Sequence, residues 1–236
     1  MKLTNKLTPI ALAVSMAAGA ALPSMASAEV GYNATVSSMY LWRGQDVSNG
    51  PTVSGGIDYS HDSGVYASAW ASSGVNGTNG LELEDNDTPD DSTDDTVIAG
   101  GNGYELDLWV GYAGEIEGVG YDISYWIIDY PQTTLDSFSE ISLGLSFMDF
   151  SFGYTVSGES DNDYSYTTLG YSYDAFGFTY GMADNGESGA AESAYSHFGI
   201  SYAATDALSF TISKASDDTA GVSEEELIMV SYSLPL

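Results

Sequence analysis

Residues 104–112 read Tyr-Glu-Leu-Asp-Leu-Trp-Val-Gly-Tyr, and their alternation decides the fold. Tyr104, Leu106, Leu108, Val110 and Tyr112 share one face, and Glu105, Asp107, Trp109 and Gly111 share the other. Period two is the pattern of a strand with two unlike environments, because successive side chains point to opposite sides of a sheet. The next segment repeats it: Tyr121, Ile123, Tyr125 and Ile127 oppose Asp122, Ser124 and Trp126. Further along, Phe150, Phe152, Tyr154 and Val156 oppose Ser151, Gly153 and Thr155, and Phe176, Phe178, Tyr180 and Met182 oppose Gly177, Thr179 and Gly181.

Extending this reading gives twelve strands, near 31–42, 52–61, 64–73, 103–113, 118–129, 137–147, 149–158, 164–174, 176–183, 193–203, 207–216 and 225–236. For 64–73, either Val65-Ala67-Ala69 or Tyr66-Ser68-Trp70 could point outward. Pro51, Pro89, Pro131 and Pro235 fall in loops or at strand ends, where a missing N–H is tolerated. The connections alternate between long and short, with tight turns at 61–64, 114–117, 148–149, 174–175 and 204–206. That sorting is expected of an outer-membrane barrel with short periplasmic turns, longer outside loops and an even strand count. A soluble β-sandwich has no reason to sort its loops. It would also need both inner faces apolar, whereas here the faces opposite the aromatic ones are small and polar. The expected fold is therefore all-β, a transmembrane up-and-down antiparallel barrel of about twelve strands, residues 29–236, in the outer membrane of a Gram-negative bacterium.

Lys2 and Lys6, the apolar run 10–22 and Ala26-Ser27-Ala28 come in the order of a secretory signal, so residues 1–28 read as a cleaved address. A run of 13 residues is too short to span a bilayer as a helix. The 34 Asp and Glu then face only Arg43 and Lys214 as formal cations. Such a balance excludes phosphate recognition and hence nucleic acid. The absence of cysteine excludes disulfides, thiolate metal sites and a Cys nucleophile.

The acids divide by position. Many lie in the long loop 74–102, which is read first as solvated; divalent-cation binding at Asp90, Asp91, Asp94 and Asp95 is the alternative. A smaller set falls on the inward faces: Asp58, Glu105, Asp107, Asp122 and Glu140. Strand parity places Arg43 inward with them, and these six are the candidate pore-lining residues. Arg43 has two readings, lining a conducting path or pairing with carboxylates and plugging the barrel, and the second is preferred. Lys214 is placed outward near the outer rim, where its stem can snorkel. His61 belongs to a turn, and His197 shares the inward face with Tyr195 and Ser201. No P-loop, G-x-G-x-x-G or H-E-x-x-H occurs, so neither an enzyme nor a cofactor is expected.

The run Ser38-Met39-Tyr40-Leu41-Trp42-Arg43-Gly44-Gln45 resembles the S-x-Y-x-x-R-G opening of the TorF-type porin family. Pro51, Gly55-Gly56-Ile57-Asp58-Tyr59-Ser60 and Gly64-Val65-Tyr66-Ala67-Ser68-Ala69-Trp70-Ala71-Ser72 are similar to the segments after that opening in the family. Glu105-Leu106-Asp107-Leu108, Gly111-Tyr112, Tyr130-Pro131 and Ser139-Glu140 extend the resemblance, which loosens after about residue 150. Arg43, Gly44, Asp58, Tyr66 and Trp70 match the recurring pattern, to which the family attaches no residue roles. Two departures stand out: loop 82–95 reads as an insertion, and the last residue is Leu236 where many barrels carry an aromatic. The resemblance implies an outer-membrane barrel with a transport role. The expected function is a passive channel for small polar solutes, cation-preferring because its lumen carries one sign of charge. The alternative is a non-conducting barrel acting as a surface or scaffold protein through its acidic loops. The expected partners are outer-membrane lipid and small polar solutes or cations.

Overall fold

The computed structural model describes residues 29–48, 50–76, 82–84, 96–99, 102–131, 135–184, 194–216 and 225–236. In chain order the strands are β1 (Glu29–Ser37), β2 (Leu41–Trp42), β3 (Gln45–Asp46), β4 (Thr52–Ser60), β5 (Val65–Asn76), β6 (Glu82–Glu84), β7 (Thr96–Ala99) and β8 (Asn102–Ile116). They continue as β9 (Val119–Asp129), β10 (Phe138–Phe147), β11 (Phe150–Ser157), β12 (Ser165–Tyr173), β13 (Phe176–Asp184), β14 (Tyr195–Ala203), β15 (Leu208–Ser216) and β16 (Leu227–Ser233). Twelve of them close a barrel in the order β1-β16-β15-β14-β13-β12-β11-β10-β9-β8-β5-β4, each antiparallel to its neighbours. Closure leaves no strand edge along the wall, which is what lipid demands of a sheet that crosses it.

The alternation read from the sequence is the alternation of the wall. Ile127 is 44% exposed and Ile128, its neighbour, 1%. Leu108, Val110, Ile123, Leu143, Leu145 and Ile212 point outward and are exposed. Serine, glycine and threonine occupy much of the inward face, as Ser142, Gly144 and Ser146 do on β10. The ambiguous strand β5 turns Tyr66, Trp70 and Ser72 inward, where they are buried. Its register explains the choice: Gly111 lies opposite Tyr66, and a Cβ there would collide with the phenol ring. Turn chemistry fits the short rim. Glu117 and Gly118 have φ of 52° and 81°, the two positive values that a two-residue type I′ hairpin needs. Exposed aromatics gather near that rim, among them Tyr59, Tyr112, Phe150, Tyr171, Phe176 and Tyr202. Phe150–Tyr171 and Phe176–Tyr202 pair across strands at 4.8 and 5.0 Å.

One expectation fails. The first strand does not run to residue 42: β1 ends at Ser37, and the chain turns into the lumen as the small hairpin β2–β3. Tyr40, Leu41 and Trp42 keep a strand-like pattern because the hairpin is itself extended. Its apolar faces are covered from inside the barrel rather than by lipid. Tyr40, Trp70 and Val75 form a buried cluster, with Trp42, Val47, Trp109 and Tyr130 packed against it. A second difference lies in the loop expected over 74–102, where β5 extends to Asn76, β8 begins at Asn102 and β6 pairs with β7. The proposed signal segment 1–28 lies outside the described residues.

Candidate functional site

The inward hairpin gathers four of the six sequence-derived candidates, Arg43, Glu105, Asp107 and Glu140. It leaves the wall at Ser38, whose N–H donates to the Val230 carbonyl at 2.9 Å. A bond from the Val47 N–H to the Tyr40 carbonyl, 2.9 Å, closes its base, and the Ser48–Val75 bridge ties that base to β5. Arg43 and Gly44 form the tip, both in the left-handed region at φ 46° and 84°. Most side chains avoid that region; glycine enters it freely, and Arg43 is held there by its surroundings.

Those surroundings span four wall elements. Arg43 forks onto Glu140 of β10, with Nη1 donating to Oε1 at 2.8 Å and Nη2 to Oε2 at 2.6 Å. Nη1 also donates to the Tyr164 hydroxyl. The rings of Trp42, Tyr164 and Tyr166 lie 4.6, 5.0 and 4.7 Å from the guanidinium carbon. The backbone is fastened as well: Tyr195 Oη donates to the Arg43 carbonyl at 2.9 Å, and Ser213 Oγ to the Gly44 carbonyl at 3.2 Å. Burial works against the guanidinium charge, but the Glu140 carboxylate overcomes it and holds Arg43 protonated, above its ordinary range. Bidentate, charge-assisted bonds of this kind are among the strongest polar contacts in proteins.

At the base of the hairpin, Tyr40 Oη donates to Glu105 Oε1 at 2.6 Å. Burial first, then the Glu105 and Asp107 charges, raise the Tyr40 phenol far above its usual range, so it stays a donor. Asp107 is fully buried beside Glu105, and neither of its carboxylate oxygens meets a donor among the described residues. Asp122 accepts from Tyr66 Oη at 2.5 Å. Asp58 stands apart and is only half-buried, accepting from Asn33 Nδ2 at 3.1 Å. So Arg43 and Glu140 meet directly, Glu105 and Asp107 lie together at the hairpin base, and Asp122 and Asp58 sit elsewhere on the wall. The loop candidates Asp90, Asp91, Asp94 and Asp95 lie outside the described residues. No group of three metal-ligating side chains occurs among the described residues. Lys214 is exposed and pairs with Glu226 at 3.4 Å.

Sequence reasoning missed Tyr164, Tyr166 and the role of Tyr195. Tyr164 precedes β12 and Tyr166 is its second residue, so neither carried a pattern beyond an ordinary strand start. His197, read as inward, is buried; its Nε2 lies 2.6 Å from Tyr166 Oη and its ring stacks on Tyr166.

Tyr40→Phe would remove the hydroxyl bonded to Glu105, leaving a buried carboxylate with one donor fewer at the hairpin base. The cost is expected to be about 1–2 kcal/mol, below the full penalty for an orphaned charge because Tyr130 also contacts Glu105. It is read as an earlier unfolding midpoint of the purified barrel in detergent. An unchanged midpoint would show that this bond does not hold the hairpin.

Towards the long-loop rim, Ser72, Glu105, Asp107, Ile128, Glu140, Tyr166, His197 and Ser213 are buried around the hairpin. Towards the short-turn rim, Asn33, Asp58, Ser142, Gly144, Ser151 and Thr155 keep part of their surface. Tyr66, Ala113, Asp122, Ser201 and Ser231 are buried towards that rim as well, so packing is not confined to the half that holds the hairpin.

A family model described as "Bacterial protein of unknown function (Gcw_chp)" matches residues 18–224. No curated protein matches the chain. Among solved structures, one described under "Unveiling the Mechanism Behind the in-meso Crystallization of Membrane Proteins" aligns with a TM-score of 0.52 at 9% identity, covering 86% of this chain and 82% of that one. A KdgM porin aligns with a TM-score of 0.48 at 6% identity, covering 87% and 96%. Outer membrane phospholipase A from Escherichia coli aligns with a TM-score of 0.43 at 12% identity, covering 88% and 91%. At these identities the likeness concerns the fold alone.

Proposed function

We propose, for a chain that belongs to the Gcw_chp family of bacterial proteins of unknown function, that it is an outer-membrane channel for small polar solutes with a preference for cations. The observation that carries this reading is the charge of the inward face. Strand parity turns Asp58, Glu105, Asp107, Asp122 and Glu140 inward; Glu140 is paired with Arg43 and Glu105 and Asp107 are buried at the hairpin base, so Asp58 and Asp122 are the carboxylates this reading assigns to the path. A low-dielectric wall focuses that field and favours counter-ions. The long loops would lie outside the cell, the short turns in the periplasm, and the aromatics near the short turns at the inner membrane interface. A cleaved signal over residues 1–28 and the TorF-type resemblance belong to the same reading. No catalytic role does: His197 is engaged by Tyr166 and packed between the hairpin and the wall.

The hairpin tip reaches across the lumen to β10, β14 and β15, so a conducting state requires it to move. That placement also favours a second reading, a non-conducting barrel that acts at the surface through its acidic loops. Planar-bilayer recordings of the purified protein separate the two. Discrete current steps, with reversal potentials favouring potassium over chloride, are expected. No steps, or chloride preference, would sink the cation-channel reading. Asp58→Asn together with Asp122→Asn is expected to move the reversal potential towards zero selectivity, since both remove lumen charge without touching the hairpin. Unchanged potentials would take those carboxylates off the path.

A further inference from the structure

The box around Arg43 is built largely by the wall, while its occupant comes from the hairpin. Glu140 lies on β10, Tyr166 on β12, and Tyr164 immediately before β12; Trp42 is the hairpin's own contribution. One carboxylate fork, one phenol oxygen and two aromatic faces converge on a planar cation. Each element suits a guanidinium better than a sodium ion or an ammonium. The fork matches its paired N–H groups, and the rings attract a flat, weakly hydrated cation. Nothing in this chemistry depends on the guanidinium being covalently attached.

We propose that Glu140, Tyr164 and Tyr166 form a recognition site for guanidinium-bearing solutes, and that Arg43 is a built-in mimic filling it until such a solute competes. The consequence for transport rests on the channel reading, but binding itself does not. An attached occupant acts at an effective concentration of millimolar or more. An outside solute therefore displaces Arg43 only at comparable concentration, or when it brings further contacts to the acidic surroundings. Displacement would free the hairpin tip, leaving the Tyr195 and Ser213 bonds to hold it.

The test removes the mimic and supplies the solute. Arg43→Ala is purified as a full barrel, with Arg43→Gly as the second variant, since glycine accepts the positive φ at this position and also leaves the space among the rings empty. Methylguanidinium is titrated in detergent at constant ionic strength against sodium, and unfolding midpoint and tryptophan fluorescence are followed. Both variants are expected to gain stability with methylguanidinium, as linkage requires of a ligand that binds the folded state. The wild type should not respond at the same concentrations. Adding Glu140→Gln should weaken the response at least about tenfold. In bilayers, methylguanidinium should block the current of Arg43→Ala. Binding without current leaves the site standing and removes the channel reading; current without binding or block does the reverse. An equal response to sodium, or one that survives Glu140→Gln, overturns the site.

Discussion

Glu140→Gln is expected to cost the barrel about 3–5 kcal/mol, the range found when one partner of a buried ion pair is removed. Arg43 and Glu140 are 7% and 4% exposed, so neither can turn to water when the other is lost. Glutamine keeps the size of the side chain but carries no charge, and its amide nitrogen presents donors to a group that is all donors. The guanidinium would retain the Tyr164 hydroxyl and its ring contacts, which lack the charge to compensate its desolvation. The cheapest escape is for the hairpin tip to leave the lumen. Glu140→Gln should therefore lower the unfolding midpoint and, if the barrel conducts, raise the open probability. The paired change Arg43→Met with Glu140→Leu separates pairing from space-filling. It removes both charges, keeps volume, and is expected to recover most of the loss. A single variant within about 1 kcal/mol of wild type would show that the pair does not hold the plug.

The wall was legible because a transmembrane strand needs little more than period two, and its two environments impose that period strictly. Leu106, Leu108 and Val110 cannot exchange places with Glu105 and Asp107 without putting carboxylates in lipid. The hairpin was not legible for the same reason. Tyr40 and Trp42 continue the alternation of β1, and nothing local separates an aromatic that meets lipid from one that meets Trp70. The available signal was non-local. Trp70, Trp109 and Trp126 all point inward, and Trp109 stacks on Trp126 at 4.2 Å, so that region of the wall needed an apolar filler. The Arg43-Gly44 pair already lay in the connection expected after residue 42, but nothing local shows that the chain leaves the wall five residues earlier. Parity did place Arg43 and Glu140 inward. Their pairing, and the part of Tyr164, Tyr166 and Tyr195, depended on how far the hairpin reaches across the barrel, which no single strand encodes.

Gly44→Ala is the most direct challenge to that arrangement, with an expected cost of about 2–4 kcal/mol from backbone and steric effects together. At φ 84° an alanine is strained before any contact is considered. Its Cβ would lie 2.6 Å from the His197 Cβ and nearer still to the ring. The ring cannot step back. Its Nε2 is engaged by Tyr166, and on the far side Gly181 already approaches so closely that a Cβ there would strike the same nitrogen. The tip cannot step forward either, because the Arg43 and Gly44 carbonyls are held by Tyr195 and Ser213. The strain must therefore appear as displacement of the hairpin, read as a lower unfolding midpoint with the wall still folded. Adding His197→Gly removes both the ring and the Cβ that the methyl would strike, so Gly44→Ala is expected to cost less in that background than in wild type, leaving the backbone share. A Gly44→Ala barrel as stable as wild type would mean that the tip does not sit against His197, and that the plug is seated elsewhere in the lumen.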